Sequence, residues 1–354
     1  MSGSGRLAAA SASEHETVPA DFEIVPCPLC GASAFHTWLQ APDRFAVDRG
    51  EVYRIVRCRA CGFHYLNPRP RPEALPRYYA NEGYQPFLST RDRVGLWERL
   101  YALVRRFSVR HKRRKIERFQ RAGSVLDVGC GTGEFLDEMQ RHGWRVLGLE
   151  VDETAADFAR RRYGLEVRTQ ALEDLAEEGA RFDVITFWHV LEHLYDPKRS
   201  LQAAHALLRE GGVLLLAAPN LAGTDARFYR ANWVALDAPR HLHHFTPDSV
   251  RKVGRDTGWD LVHSQPMWLD TLFNCLMSER LSADRRHASA LTRAGYLVRG
   301  GAVALVSLFR SSRLWREGAE VGSAVLYFLK KATSPRDRAV AKTTHATNEE
   351  RDPK

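Results

Sequence analysis

The sequence predicts an α/β protein: a doubly wound, mostly parallel sheet covered by helices, preceded by a small module held together by four cysteines. Three observations carry that reading. From Ser124 onward, short apolar runs alternate with stretches of helical period, the pattern of strands joined by helical crossovers. The first of those runs ends in Gly129-Cys130-Gly131-Thr132-Gly133, a turn tight enough to open a helix at once. Upstream, four of the six cysteines fall into two Cys-x-x-Cys pairs.

Taken in order, residues 1–21 form a polar, small-residue stretch without the long apolar core of a secretory signal, and read as a disordered leader on a cytoplasmic protein. Residues 22–86 are rich in Cys, Pro and Tyr, with a strand at Val52 to Cys58 and a core too thin to fold without a staple. Cys27/Cys30 and Cys58/Cys61 stand 27 residues apart, and a glycine follows each pair, which suits a zinc ribbon with four thiolate ligands. Four thiolates saturate a tetrahedral Zn²⁺, so this metal is structural. Two disulfides are the alternative.

Residues 87–122 form a basic helical connector. The chain carries a net charge of +9, and the stretch from Arg91 to Arg121 alone holds twelve Lys/Arg against three Asp/Glu. The remainder is therefore near neutral, which argues against a broadly basic nucleic-acid coat. Trp97, Leu100, Tyr101, Val104 and Phe107 make an apolar stripe at helical spacing, so the first half packs; Arg110 to Lys115 is charged nearly all round, so the second half is solvated. Two readings of Arg110–Lys115 stand: a plain solvated helix end, or attraction to an anionic partner such as a phosphorylated substrate, an anionic membrane surface or RNA.

Residues 123–332 form the main domain. Strands are predicted at 124–128, 145–149, 166–168, 182–188, 213–218, 259–263 and 323–331, with helices at 134–142, 153–163, 197–208 and 247–257. Asp196 and Thr246, each directly before a proline, read as helix N-caps. Residues 280–317 form a helical insertion, read as a cap over the substrate pocket or as a basic, apolar element for a membrane surface, with the cap favoured. No run approaches the length of a membrane span. Residues 333–354 read as a disordered polar tail.

The glycine loop is most informative beside Glu150, which ends the next strand twenty-one residues after Gly129. A carboxylate there accepts both hydroxyls of a ribose, so loop and acid together point to an adenosine-containing ligand. Five stretches then resemble the class I S-adenosylmethionine (SAM) dependent methyltransferases, particularly the branch that includes ubiquinone-biosynthesis enzymes: VLDVGCGTGEF at 125–135, VLGLEVDE at 146–153, QALEDL at 170–175, FDVITFWHVLEHLYDP at 182–197 and LREGGVLLLAAPN at 208–220. The resemblance implies a Rossmann-like domain of seven strands and SAM as cofactor. It places Gly129, Cys130, Gly131 and Gly133 along the methionine part, Asp127 as the residue that orders the loop, Glu150 on the ribose and Gln170 and Ala171 at the adenine. Trp188 and His189 fall beside the sulfonium. Glu150 departs from the family's usual Asp without changing the role.

Methyl transfer from a sulfonium is an in-line displacement, so alignment and water exclusion are the main tasks, and a base is needed only for a protonated nucleophile. His189 is the first candidate for that base and His241 the second, with Glu192 and His193 sharing the helical face of His189. In methyltransferases of similar appearance a Glu-x-x-Glu-His segment binds a metal; here His189 replaces the first Glu, so a metal-free base is preferred to a catalytic divalent metal. A purely structural carboxylate is an equal reading of Glu192. The loop before the second histidine cluster offers Trp233, Asp237 and Arg240 as substrate contacts, with a buried plug the safer reading of Trp233. Tyr78, Tyr79 and Tyr84 form a substrate lid or pack the module, with packing favoured for two of the three.

The segment Tyr65 to Pro70, with the ribbon before it, resembles a subgroup that accompanies sugar, polysaccharide or secondary-metabolite biosynthesis. The expected activity is SAM-dependent methylation of a small-molecule, sugar or glycan-lipid hydroxyl, in the cytoplasm or peripherally at the inner membrane surface. An RNA methyltransferase and a non-catalytic SAM-binding subunit are the alternatives.

Overall fold

The computed structural model describes residues 18–79, 96–316 and 321–332, with residues 96–105 and Ala290 as backbone only. Most of the expected leader, the tail, Tyr84 and the side chains of Trp97, Leu100, Tyr101 and Val104 lie outside the described residues.

The N-terminal module contains β1 (Phe22–Glu23), β2 (Phe35–Pro42), β3 (Val52–Cys58), β4 (His64–Leu66), β5 (Arg69–Pro70) and the short helix α1 (Pro76–Tyr79). Both cysteine pairs sit in tight turns: Gly31 N–H donates to the Cys27 carbonyl at 2.8 Å and Gly62 N–H to that of Cys58 at 3.0 Å. Gly31 and Gly62 adopt φ of 75° and 74°, which disfavours a side chain there.

Helix α2 (Leu96–Ile116) leads into the main domain. Its basic end is less solvated than its charge implies. Ile116 and Lys115 are buried, and burial pulls the Lys115 ammonium down to about 8. Arg113 pairs with Glu117, just past the end of its helix, and with Glu138 at 2.9 Å. The sequence shows the charges of this helix but not the acidic neighbour that folding brings to it.

The main domain runs β6 (Ser124–Val128), α3 (Glu134–Arg141), β7 (Arg145–Leu149), α4 (Glu153–Tyr163), β8 (Val167–Arg168), α5 (Leu172–Glu177), β9 (Phe182–Trp188), α6 (Pro197–Leu207), β10 (Leu208–Pro219), α7 (Thr224–Tyr229), β11 (His243–His244), α8 (Pro247–Asp256), β12 (Trp259–Pro266), α9 (Trp268–Arg285), α10 (Ala290–Arg316) and β13 (Ala324–Lys331). Seven strands form one sheet in the order β12-β13-β10-β9-β6-β7-β8. All neighbours pair in parallel except β13, which is antiparallel to β10 and β12. Strands β6 and β9 are buried along nearly their whole length, as strands covered by helices on both faces must be. Asp196 caps α6 by accepting from the amides of Lys198 and Arg199, and Thr246 caps α8 in a reciprocal capping box with Ser249.

The two parts share structure. Strand β11, from the main domain, pairs with β4, so a four-stranded sheet β11-β4-β3-β2 crosses the boundary. Cys27, Leu29, Phe63 and Tyr65 belong to one apolar cluster with Leu126, Ile185 and Phe245. A buried ion-pair cluster fastens the joint. Arg240 is fully buried, contacts Asp43 of the module and Asp237 of its own loop at 2.7 Å each, and donates to the Tyr78 carbonyl at 3.1 Å. Arg44 reaches Asp237 at 2.8 Å.

Removing one partner from such a cluster leaves a buried charge uncompensated. Arg240→Ala is expected to cost about 3–5 kcal/mol in urea unfolding; a loss under about 1 kcal/mol contradicts the structural role. Burial also pushes the His243 imidazole down to about 3, well below its unfolded value. The unfolded chain then binds more protons at acid pH, so stability is complete above about pH 6.5 and declines as pH falls below it. Tm should drop on acidification from pH 6.5 to about 4.5, less steeply in His243→Phe; equal slopes contradict it.

Candidate functional site

The glycine loop joins β6 to α3 at the carboxyl end of the sheet, where ligands of doubly wound folds bind. Gly129, Gly131 and Gly133 all have positive φ, of 68°, 55° and 83°. A Cβ on Gly129 would meet Val190 at 2.6 Å, whereas one on Gly131 would stand in open space, so the loop is wedged from behind and open in front. The Leu149 carbonyl accepts from the amides of Gly129 and Cys130 at 2.7 and 3.0 Å. The Cys130 sulfur packs behind the loop, against the position of Gly148, so this residue offers backbone and not thiol to the cleft.

Asp127 lies buried under the loop, accepting from the Thr186 hydroxyl at 2.6 Å, and burial pushes its carboxyl up to about 7. Glu150 accepts from the Gly131 amide at 2.8 Å and the Asp152 amide at 2.9 Å, so the acid expected on the ribose also pins the loop. Gln170 donates its side-chain amide to Glu178 at 2.7 Å, and Ala171 is exposed at the start of α5. Neither reaches the cleft beyond the glycine loop.

That cleft has a volume of about 470 Å³ and is walled by the loop, Trp188, His189, His193, His241 and the first turns of α9. The tail of α2 also lines it through Ser108, Val109 and Lys112, and the Lys112 ammonium sits 4.3 Å from the centre of the Trp188 ring. The basic segment therefore touches the site.

His189 follows β9 with φ of 58°, a left-handed backbone rare for histidine, which turns its ring into the cleft. Its Nε2–H donates to Asp270 at 2.8 Å, and Nδ1 stands 3.4 Å from Glu192. Burial disfavours the imidazolium, but the two carboxylates outweigh it and bring His189 up to about 10. A ring held protonated offers no lone pair to a proton, which weighs against His189 and toward His241, the second candidate from the sequence, as the base. Asp270 lies between the strand ending at residue 263 and the helical insertion from residue 280, where the sequence reading assigns no element; the spacing of Leu269, Leu272 and Phe273 is the available signal for the helix that carries it.

Glu192 is fully buried, and neither carboxylate oxygen has a hydrogen-bond partner. Burial favours its neutral form, but the cationic His189 imidazole beside it outweighs burial and keeps the carboxyl low and ionised. His241 donates Nδ1–H to the Ala235 carbonyl at 2.9 Å, which fixes the tautomer and leaves Nε2 with a lone pair. Burial pulls this ring down to about 4. His193 is likewise lowered by burial; its Nδ1 donates to the Arg240 carbonyl at 3.1 Å and lies 2.8 Å from the Tyr79 hydroxyl. One donor atom from each of Glu192, His193 and His241 lies within 4.8 Å of the others.

The second histidine cluster divides. His241 enters the cleft, whereas His243 and His244 form β11 against the N-terminal module. Arg240 serves the buried ion-pair cluster rather than a substrate, and Trp233 is a buried plug whose Nε1–H donates to Asp225 at 2.8 Å. Asp237 lines the cleft while held well below the usual carboxylate range, its burial outweighed by Arg240 and Arg44. Tyr78 packs inside the module, and Tyr79 meets His193.

Sheet, loop and acid define an α/β protein that binds an adenosine-containing cofactor. A family model described as "Methyltransferase domain" matches residues 96–264. The ubiquinone biosynthesis O-methyltransferase of Leptothrix cholodnii is 32% identical over 180 residues, covering 44% of this chain and 77% of that protein. Its namesake in Xanthomonas oryzae pv. oryzae is 37% identical over 132 residues, covering 34% of this chain and 54% of its own. A crystal structure of a SAM dependent methyltransferase from Archaeoglobus fulgidus is similar with TM-score 0.43 at 16% identity, over 64% of this chain and 94% of that one. The chain belongs to the class I SAM-dependent methyltransferase family, and its cofactor is SAM.

If Asp270 holds the proton on His189, Asp270→Asn should move the ring's titration, followed by ¹⁵N NMR, from about 10 down toward 6.5. An unchanged titration contradicts it.

Proposed function

We propose that the protein transfers the SAM methyl group to an ionisable hydroxyl of a small molecule, with His241 as proton acceptor. The observation that supports this reading is that the glycine loop and the His241 imidazole, neutral with its tautomer fixed, line one cleft. In the step, the acceptor oxygen attacks the methyl carbon, the carbon–sulfur bond breaks, and the sulfonium becomes the neutral thioether of S-adenosylhomocysteine. The hydroxyl proton passes to His241 Nε2, where Asp237, 3.9 Å away, favours the imidazolium that forms. His189, held cationic between Asp270 and Glu192, places a fixed positive charge in the wall of the cleft. The names of the Leptothrix and Xanthomonas relatives support an O-linked product.

A second reading rests on the Glu192 carboxylate. A buried anion without a hydrogen bond is costly, and two neutral imidazoles beside it make a donor set that suits a divalent cation. Glu192, His193 and His241 would hold such an ion, which would acidify a bound hydroxyl.

We also propose zinc in the N-terminal module. The sulfurs of Cys27 and Cys61 lie 3.5 Å apart, those of Cys30 and Cys58 3.6 Å apart, and all four converge, which suits one tetrahedral ion and not two disulfides. The anionic-partner reading of Arg110–Lys115 narrows to Arg110 and Arg114, because Lys112, Arg113 and Lys115 are engaged within the chain.

Calorimetry with S-adenosylhomocysteine should show binding that Glu150→Ala weakens by about tenfold or more. Unchanged affinity sinks the ribose assignment. Elemental analysis should find one zinc per chain, lost in Cys27→Ser. A strain lacking the gene should accumulate a metabolite one methylene lighter than the wild-type product. Loss of activity on chelation with zinc retained would replace the His241 reading with the metal reading.

A further inference from the structure

Helix α10 is amphipathic the wrong way round for a protein in water. Its inner face, against α9, is made of Gly300, Ala304, Ser307 and Ser311, all buried. Its outer face carries the large apolar side chains: Leu291 is 86% exposed, Val298 75%, Leu305 70% and Phe309 72%. At 100° per residue these four fall within one narrow stripe opposite the small residues, roughly 27 Å long at 1.5 Å per residue. A contiguous exposed stripe of this kind marks an interaction surface.

The charges on the helix say what the stripe meets. Over Ala290–Arg316 there are five arginines and no Asp, Glu or Lys. Arg293 and Arg299 turn back to Asp284 and Glu279 of α9. Arg310, Arg313 and Arg316 are exposed at the end of the apolar stripe, beside the half-exposed Trp315. Apolar side chains bounded by arginines and a tryptophan are the composition of a helix lying in a bilayer interface, with the cations at anionic headgroups. A second copy of the chain suits the stripe less well, because α10 holds no carboxylate to meet its own arginines in a symmetric contact. No helix among the described residues is long and apolar enough to cross a membrane, so the geometry is that of lying on the surface.

We propose that the outer face of α10 docks the protein on the surface of an anionic phospholipid bilayer. The other arm of the hairpin, α9, places Asp270 and Phe273 in the cleft, so docking holds the cleft one helix away from the membrane surface. The docking itself is independent of which acceptor is methylated.

Co-sedimentation of the full chain with vesicles tests it. Binding is expected to vesicles of equal parts phosphatidylglycerol and phosphatidylcholine, and about tenfold less to pure phosphatidylcholine. Leu305→Glu/Phe309→Glu should abolish binding, and Arg310→Gln/Arg313→Gln should remove only the preference for the anionic lipid. S-adenosylhomocysteine affinity, unchanged in both variants, reports that they are folded. Absence of wild-type binding overturns the proposal. So does a wild-type dimer that Leu305→Glu/Phe309→Glu converts to monomer without any vesicle binding, which would assign the stripe to self-association.

Discussion

The buried guanidinium of Arg240 is the constraint on which the functional architecture depends. It satisfies Asp43 from the N-terminal module and Asp237 from its own loop, and it also donates to the Tyr78 backbone. Its carbonyl accepts from His193. One residue, through its side chain and its backbone, therefore fixes the module, the loop that carries His241 and the turn that carries His193. Fully desolvated charges are tolerated only when paired this completely. The chain spends two carboxylates and a second arginine, Arg44, on the pairing.

Through this joint the N-terminal module becomes part of the wall of the cleft. Arg44 lines the cleft and Tyr79 lies against His193, so both reach the site from outside the methyltransferase sheet. The module shares a sheet and an apolar cluster with the main domain, which explains how so small a unit stays folded in place. Within the chamber the electrostatics are divided. His189 stands between two carboxylates and stays charged, whereas His193 and His241 are desolvated and stay neutral. Three histidines of one residue type thus hold different protonation states because their neighbours differ.

The sheet was legible in the sequence because its signals are local. The strands at 124–128, 145–149 and 182–188 are short, mostly apolar runs, and Asp196 and Thr246 announce their helices by the proline that follows. The glycine loop and the cysteine pairs were legible because spacing alone carries their chemistry. What sequence could not show is which side chains meet. Arg240 reads as a loop residue free to touch substrate, and only folding brings Asp43 from 197 positions away to bury it. His189 reads as a base until Asp270, 81 residues on, is found beside it. Strand β11 was missed because two residues paired with a distant strand leave no periodic trace.

Whether one cleft, walled in part by the N-terminal module, holds SAM on the glycine loop with the acceptor space beyond it is tested most directly by a crystal structure with S-adenosylhomocysteine. The homocysteine part is expected along Gly129 to Gly133, the ribose at Glu150, and Arg44, Tyr79 and His241 around the space next to the sulfur. Ligand bound elsewhere, or an N-terminal module standing away from that space, would contradict it.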